Sequence, residues 1–191
     1  MPPCPGILAA AIPSTLVVLV LGRIAILRAK GVRAFKFGAI DRKDFLIPPF
    51  ALFYLYLCAA PGLGLPVPWK GRLFAPGLAD WAGSGFLLAG LVVFFISLLS
   101  FGRSFRVGID KDAPAGLVTT GIFGLSRNPI YVGFGCVLLG EFLVHQGLVF
   151  LIYLAAAGAL IHRQVLREEA FMRRRYGERF VAYQSHVRRY L

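Results

Sequence analysis

Charged residues are scarce in this chain of 191 residues, and acidic residues are the scarcest of them. Only 16% of the residues are charged, against about 25% in an ordinary soluble domain. Hydrophobic residues make up 58% of the chain, and the mean hydropathy is +0.72. So few polar groups could not cover the surface of a soluble fold. The composition therefore excludes an ordinary soluble enzyme and indicates that lipid is the solvent.

The usual signatures of metal, disulfide and dinucleotide sites are also missing. Cys4, Cys58 and Cys136 are far apart and have no metal-ligand spacing, so we interpret them as small apolar fillers and expect no metal. Two Gly-x-Gly sequences, at residues 83–85 and 133–135, do not follow a strand, so a nucleotide-binding fingerprint is unsupported. Glycines within apolar segments instead favour close packing between helices.

Five apolar segments approach the roughly 20 residues that a bilayer crossing requires. They cover residues 7–27, 46–65, 81–101, 129–144 and 147–161. Only His145, Gln146 and Gly147 connect the last two, which predicts a tight helical hairpin. We therefore predict an all-α integral membrane protein of one domain with five transmembrane helices. Residues 1–101 would carry three spans, and residues 102–191 a long loop, the hairpin and a further helix.

The positive charge follows the predicted topology. The net charge is +12, and the Lys and Arg residues concentrate in residues 28–43, 102–128 and the stretch after Ile161. Basic residues favour the cytoplasmic side, so we expect the N-terminus outside and the C-terminus in the cytoplasm, in a bacterial inner membrane. The first segment has no preceding basic residue and is not expected to be a cleaved signal peptide. Because topology explains the charge, we expect no nucleic-acid partner.

A loop becomes a helix at Arg127-Asn128-Pro129. Proline fits the first position of a helix, and asparagine is a good N-cap before it. The free N–H groups of such a helix end attract anionic or acceptor groups. Tyr131 follows within the first turn. An ordinary cap with an aromatic anchor at the membrane interface is the alternative interpretation.

Two adjacent carboxylates, Glu168 and Glu169, follow the fifth apolar segment. They lie on a helix that we expect to continue through Arg175 and to stop at Gly177, a typical helix-ending residue. Carboxylates at this position are candidates for ligand binding. The alternative is that they pair with arginines four residues away on a solvated helix.

Together, the two motifs resemble those of isoprenylcysteine carboxyl methyltransferases and the related membrane phospholipid methyltransferases. The first motif is Arg127-Asn128-Pro129-Ile130-Tyr131-Val132-Gly133, and the second is Glu168-Glu169-Ala170-Phe171-Met172 followed by Tyr176-Gly177, Phe180, Tyr183 and Arg189. The resemblance covers about residues 117–191, and the joint spacing is what makes it specific. Two departures are Asn128 in place of a histidine and Phe123 where the prenylcysteine enzymes often have tyrosine.

The resemblance implies an S-adenosylmethionine-dependent methyltransferase whose cofactor pocket faces the cytoplasm. It assigns cofactor binding to Leu117, Val118, Gly121, Phe123, Arg127, Asn128, Pro129, Ile130, Tyr131, Glu168 and Glu169. It also places a substrate-contacting arginine near Arg163 and Arg167. No catalytic general base is identified. The methyl acceptor would be lipophilic or delivered by the membrane: an isoprenylcysteine carboxylate, a phospholipid amine or a small thiol.

Two other functions are compatible with the sequence. Membrane sterol reductases share a similar C-terminal arrangement but bind a nicotinamide cofactor and have more spans. A non-catalytic membrane protein that retains the fold is the second. Binding of S-adenosylmethionine would separate both from a methyltransferase.

Overall fold

A computed structural model describes residues 3–31, 47–68, 71–73, 77–102 and 116–191. Within these ranges the chain is helical and has no strand, which confirms the all-α prediction. The elements are α1 (Pro3–Ala29), α2 (Ile47–Ala59), α3 (Leu78–Phe101), a 3-10 turn (Gly121–Gly124), α4 (Pro129–His145), α5 (Leu148–Tyr176) and α6 (Glu178–His186). The predicted loop over residues 102–128 lies outside the described residues from 103 to 115.

Each of the five predicted apolar segments contains a helix. By length and composition, α1, α3 and α5 are sufficient to cross a membrane, whereas α2 and α4 are shorter apolar helices. Large apolar side chains on the long helices point away from the protein: Val18 is 67% exposed, Leu99 60% and Ile152 58%. Such surfaces require an apolar solvent. The chain is an integral membrane protein.

Helix α2 ends six residues earlier than the second predicted segment. It stops at Ala59, and residues 60–64 form turns. Pro61 explains the difference, because proline lacks an N–H donor and its ring collides with the carbonyl one turn earlier in a helix. Gly64 then adopts a positive φ of 65°. The apolar character of residues 60–65 therefore did not indicate helix.

Helices α3 and α4 make the closest packing in the fold. A Cβ atom built on Gly83 would lie 2.8 Å from the carbonyl oxygen of Gly140, and one on Gly90 would lie 2.7 Å from that of Gly133. The converse distances, from Gly140 to Gly83 and from Gly133 to Gly90, are 2.8 Å and 2.9 Å. Two antiparallel helices thus touch along their backbones. The prediction of close packing is confirmed for one glycine of each Gly-x-Gly pair, while the other glycine faces open space.

A buried polar pair lies at the far end of α4 from its first turn. The Nε2 atom of His145 is 3.2 Å from Oε2 of Glu141, and neither side chain is more than 1% exposed. The ring of Phe150, near the start of α5, stacks on the His145 imidazole with centroids 4.4 Å apart. The pair and the stack fix the short connection between α4 and α5, which forms the predicted hairpin.

Helix α5 is longer than a membrane crossing requires. It has 29 residues, whereas about 20 are sufficient, so its last turns extend past the hydrocarbon, from about Glu168 onwards. The helix ends at Tyr176, and Gly177 follows with a positive φ of 51°, as predicted. Helix α6 then begins at once and turns back towards the start of α4. This return brings the two sequence motifs together.

Candidate functional site

The start of α4 forms one wall of the site. Pro129 occupies the first turn and Asn128 the N-cap position, as predicted, but the Asn128 side chain makes no capping hydrogen bond. Its amide nitrogen instead donates to Oε1 of Glu169 at 3.2 Å and to the carbonyl oxygen of Arg189 at 3.1 Å. The asparagine is therefore a link between α4, α5 and the segment after α6.

Glu169 is the centre of a hydrogen-bond network. Arg127 donates to its Oε1 atom from Nε at 3.2 Å and from Nη2 at 3.0 Å. Arg189 donates to its Oε2 atom from Nε at 3.0 Å. With the bond from Asn128, both carboxylate oxygens are occupied by charged or amide donors. The carboxylate is 9% exposed, so little of it is open to a ligand.

Glu168 has different surroundings. Its Oε1 atom accepts hydrogen bonds from the Tyr131 hydroxyl at 2.7 Å and from Nε2 of Gln164 at 2.9 Å. Both bonds reach the same oxygen, so within the described part of the chain Oε2 of Glu168 is available as an acceptor. Gln164 was not among the predicted residues, although its position one turn before Glu168 could have indicated this contact.

The two neighbouring carboxyl groups are shifted in opposite directions. Burial raises the pKa of Glu168, and the bonds from Tyr131 and Gln164 lower it only in part. Burial also raises the pKa of Glu169, but hydrogen bonds and charges from Arg189 and Arg127 outweigh it and leave the pKa below its usual range. Among the described residues no cation pairs with Glu168, and a partly desolvated carboxyl group with a raised pKa and no cationic partner is a typical ligand-binding group.

Arg127 also holds the end of α6. Its Nη1 atom donates to the carbonyl oxygens of Gln184, at 3.2 Å, and of Val187. The hydroxyl of Tyr183 donates to the carbonyl oxygen of Phe123 at 2.6 Å, which ties α6 to the 3-10 turn. Burial raises the pKa of Tyr183 to about 12, so this donor keeps its proton at physiological pH.

The predicted loop wall precedes α4. Leu117 and Val118 are half-buried, and Phe123 is 4% exposed. Gly121 has a positive φ of 63°, and a Cβ there would lie 3.2 Å from the Ser100 hydroxyl, so a side chain would be strained. This glycine lets the loop turn against the end of α3.

An open cavity of about 350 Å³ lies between this loop and α6. Its size is at the lower end of the range for small-molecule sites. Among the predicted residues only Leu117 contributes to its lining, which also includes Thr119, Arg179, Tyr183 and His186. Glu168 and Glu169 lie outside the lining. Sequence reasoning missed Arg179 and His186 and included Tyr183 only as part of the second motif, because the approach of α6 to the loop depends on the turn at Gly177.

The remaining predicted residues lie in the first turn of α4 and on α5. Pro129 is buried and Ile130 half-buried in the first turn of α4. Arg163 is exposed and Arg167 half-buried, one turn apart on α5. On a helix, residues 163 and 167 share a face about 100° away from the face shared by 164 and 168. The two arginines therefore border the Glu168 face on the side opposite to Glu169.

The chain was compared with models of known protein families. The phospholipid methyltransferase model matches residues 78–179, just over half of the chain. The match begins at the first residue of α3 and extends into α6, so it includes the glycine contact, the start of α4 and both glutamates. No curated protein and no solved structure shows a significant match to the chain.

Proposed function

Because the chain belongs to the phospholipid methyltransferase family, we propose that it transfers the methyl group of S-adenosylmethionine to a lipophilic or membrane-delivered acceptor. The observation that carries this proposal is the surroundings of Glu168. Its side chain is half-buried beside the start of α4, is oriented by Tyr131 and Gln164, and keeps one oxygen available within the described part of the chain. An anionic acceptor group of this kind suits a ligand with hydroxyl and ammonium donors.

The residues present fit this cofactor. The available oxygen of Glu168 would accept from the ribose hydroxyls or the ammonium group of S-adenosylmethionine, and the positive end of the α4 dipole would attract the carboxylate of its methionine part. Leu117 and Val118 would supply an apolar wall. Of the two predicted glutamates, we assign the cofactor contact to Glu168 and a supporting role to Glu169, whose oxygens already have protein donors.

The site would act mainly by binding and orientation. When bound, the cofactor would supply an electrophilic sulfonium methyl group: the acceptor's nucleophile bonds to the methyl carbon as the carbon–sulfur bond breaks, and the neutral thioether leaves. The apolar walls disfavour the sulfonium charge, and fixing the reacting atoms in line accelerates such a displacement. A carboxylate or thiolate acceptor needs no general base. Arg163 or Arg167 would orient an anionic acceptor group beside the Glu168 face.

The proposal includes an orientation in the membrane. The Lys and Arg distribution favours a cytoplasmic site, with the N-terminus on the other side of the membrane. S-adenosylmethionine is made in the cytoplasm, which is consistent with this orientation. A reporter enzyme fused after Leu191 should be active in its cytoplasmic form. Activity only of a reporter that requires export would contradict the orientation.

Transfer of label from methyl-labelled S-adenosylmethionine tests the function and identifies the acceptor class. The purified protein is incubated with total membrane lipid, a prenylcysteine or small thiols, and each product is then treated with alkali. A carboxyl methyl ester releases volatile methanol, whereas an N-methyl amine or a thioether retains its label. We expect protein-dependent labelling of one class. No labelling of any class, combined with reduction of a membrane substrate by a nicotinamide cofactor, would favour the reductase.

A further inference from the structure

The residues that follow α6 lie back across the site. Residues 187–190, the closing segment, run beside the turn that precedes α4. The backbone N–H of Arg127 donates to the carbonyl oxygen of Arg188 at 2.9 Å. The carbonyl oxygen of Arg189 accepts from the Asn128 amide at 3.1 Å and from the Ser126 hydroxyl at 3.4 Å. The entry to α4 is therefore hydrogen-bonded to a segment about sixty residues away in sequence.

Two side chains of the closing segment attach it to α5. The Nε and Nη2 atoms of Arg189 are each 3.0 Å from Oε2 of Glu169. The Tyr190 hydroxyl is 2.8 Å from Nδ1 of His162, two helical turns before Glu169. His162 and Glu169 are seven residues apart and so lie on the same face of the helix. The closing segment thus follows this face over two turns.

This attachment controls the direction of the neighbouring Glu168. Adjacent residues of a helix point about 100° apart, so a fixed Glu169 also fixes the rotation of α5 and the position of Glu168. Arg189 is the donor that holds Glu169 from the closing segment, while Arg127 and Asn128 hold it from α4. Removing Arg189 would leave one oxygen of a mostly buried carboxylate without its cationic donor, which is unfavourable.

We propose that Arg189 is a positioning residue for methyl transfer: through Glu169 it holds the end of α5 against the Arg127-Asn128 turn, so that Glu168 meets the cofactor. The proposal rests on the proposed function, since Glu168 is taken as the cofactor contact. In this role Arg189 would act through Glu169 and would not itself contact the cofactor or the acceptor. Its side chain is 37% exposed, and its Nη2 atom is 3.0 Å from Oε2 of Glu169.

The test compares Arg189→Ala with Arg188→Ala in the full-length protein in detergent micelles. Arg188 is the matched control because its side chain is exposed and its hydrogen bond to Arg127 uses the backbone carbonyl, which alanine retains. Arg189→Ala should weaken S-adenosylmethionine binding by roughly tenfold, as expected for loss of a charge-assisted hydrogen bond. Arg188→Ala should bind like the parent, and Arg189→Lys should recover part of the affinity because it retains one donor.

Two further measurements separate positioning from a general loss of stability. In a Glu169→Gln background, Arg189→Ala should have little additional effect on affinity, because its action passes through that carboxylate. Hydrogen exchange of the backbone at residues 126–131 should increase in Arg189→Ala and not in Arg188→Ala. Additive effects on affinity, or equal exchange in the two variants, would overturn the proposal. If the parent does not bind S-adenosylmethionine, the proposed function fails, and the exchange comparison still decides whether Arg189 holds this turn.

Discussion

The backbone contact between α3 and α4 predicts a strong effect of one added methyl group. In Gly90→Ala the new Cβ would lie 2.7 Å from the Gly133 carbonyl oxygen, 2.8 Å from Cγ2 of Val137 and 3.0 Å from the Val137 nitrogen. Two of these three atoms belong to the backbone of α4, so a side-chain rotation cannot relieve the clash. Overpacking of this kind costs about 1–3 kcal/mol. Because α4 carries Tyr131, its displacement should also weaken cofactor binding.

A second glycine of α3 provides the control for this experiment. Gly85 has no atom within 4 Å of a built Cβ, so Gly85→Ala gains the same helix propensity without a clash. The propensity term cancels in the comparison, and Gly90→Ala should be less stable than Gly85→Ala by about 1–3 kcal/mol. The stability is measured by reversible unfolding in mixed detergent micelles, followed by circular dichroism. If Gly90→Ala is as stable as Gly85→Ala, the backbone contact does not exist as described.

Three other changes have defined outcomes. Glu141→Leu should destabilise the protein by about 1–3 kcal/mol in the same unfolding assay, because it removes the carboxyl group that lies against the buried His145 ring. The Glu141→Leu/His145→Leu double variant should be more stable than that single variant, because neither polar group of the pair remains. Glu169→Gln should be less stable than the parent at pH 7. The pKa of Glu169 is lowered in the folded protein, so its contribution to the free energy of unfolding is present above the unfolded pKa and is lost as the pH falls through the folded pKa. The difference in the free energy of unfolding between the parent and Glu169→Gln should therefore narrow on acidification. A difference that stays constant with pH would contradict this. Arg163→Lys and Arg167→Lys should leave the affinity for S-adenosylmethionine unchanged, and one of them should slow methyl transfer or raise the KM of the acceptor. Normal kinetics in both variants would remove the two arginines from the site.

Composition alone located the membrane helices, because the length of each apolar segment can be counted directly from the sequence. The error came from local backbone chemistry, because Pro61 ended α2 early. The predicted continuation of the fifth helix through Arg175 is confirmed, since α5 runs to Tyr176. The turn at Gly177 was predicted correctly, since a glycine after a basic last turn is a strong helix-ending signal.

The partners of Glu169 could not be read from the sequence. Pairing with arginines four residues away was the alternative, but Glu169 pairs with Arg127 and Arg189, which are 42 and 20 residues away. Such pairs depend on how α6 returns to α4, and periodicity contains no information about that path. The motifs nevertheless included both arginines. The sequence therefore predicted the members of the network but not its connections.

Cofactor binding by Glu168 is the central claim, and calorimetric titration with S-adenosylmethionine tests it most directly. The parent, Glu168→Gln and Glu178→Gln are compared in detergent micelles. Glu178 is exposed at the start of α6, so its substitution makes the same chemical change outside the site. We predict that the parent and Glu178→Gln bind alike and that Glu168→Gln binds roughly 10- to 100-fold more weakly, which corresponds to a charge-assisted hydrogen bond. Equal affinity of Glu168→Gln and the parent, or no binding by the parent, would contradict the account.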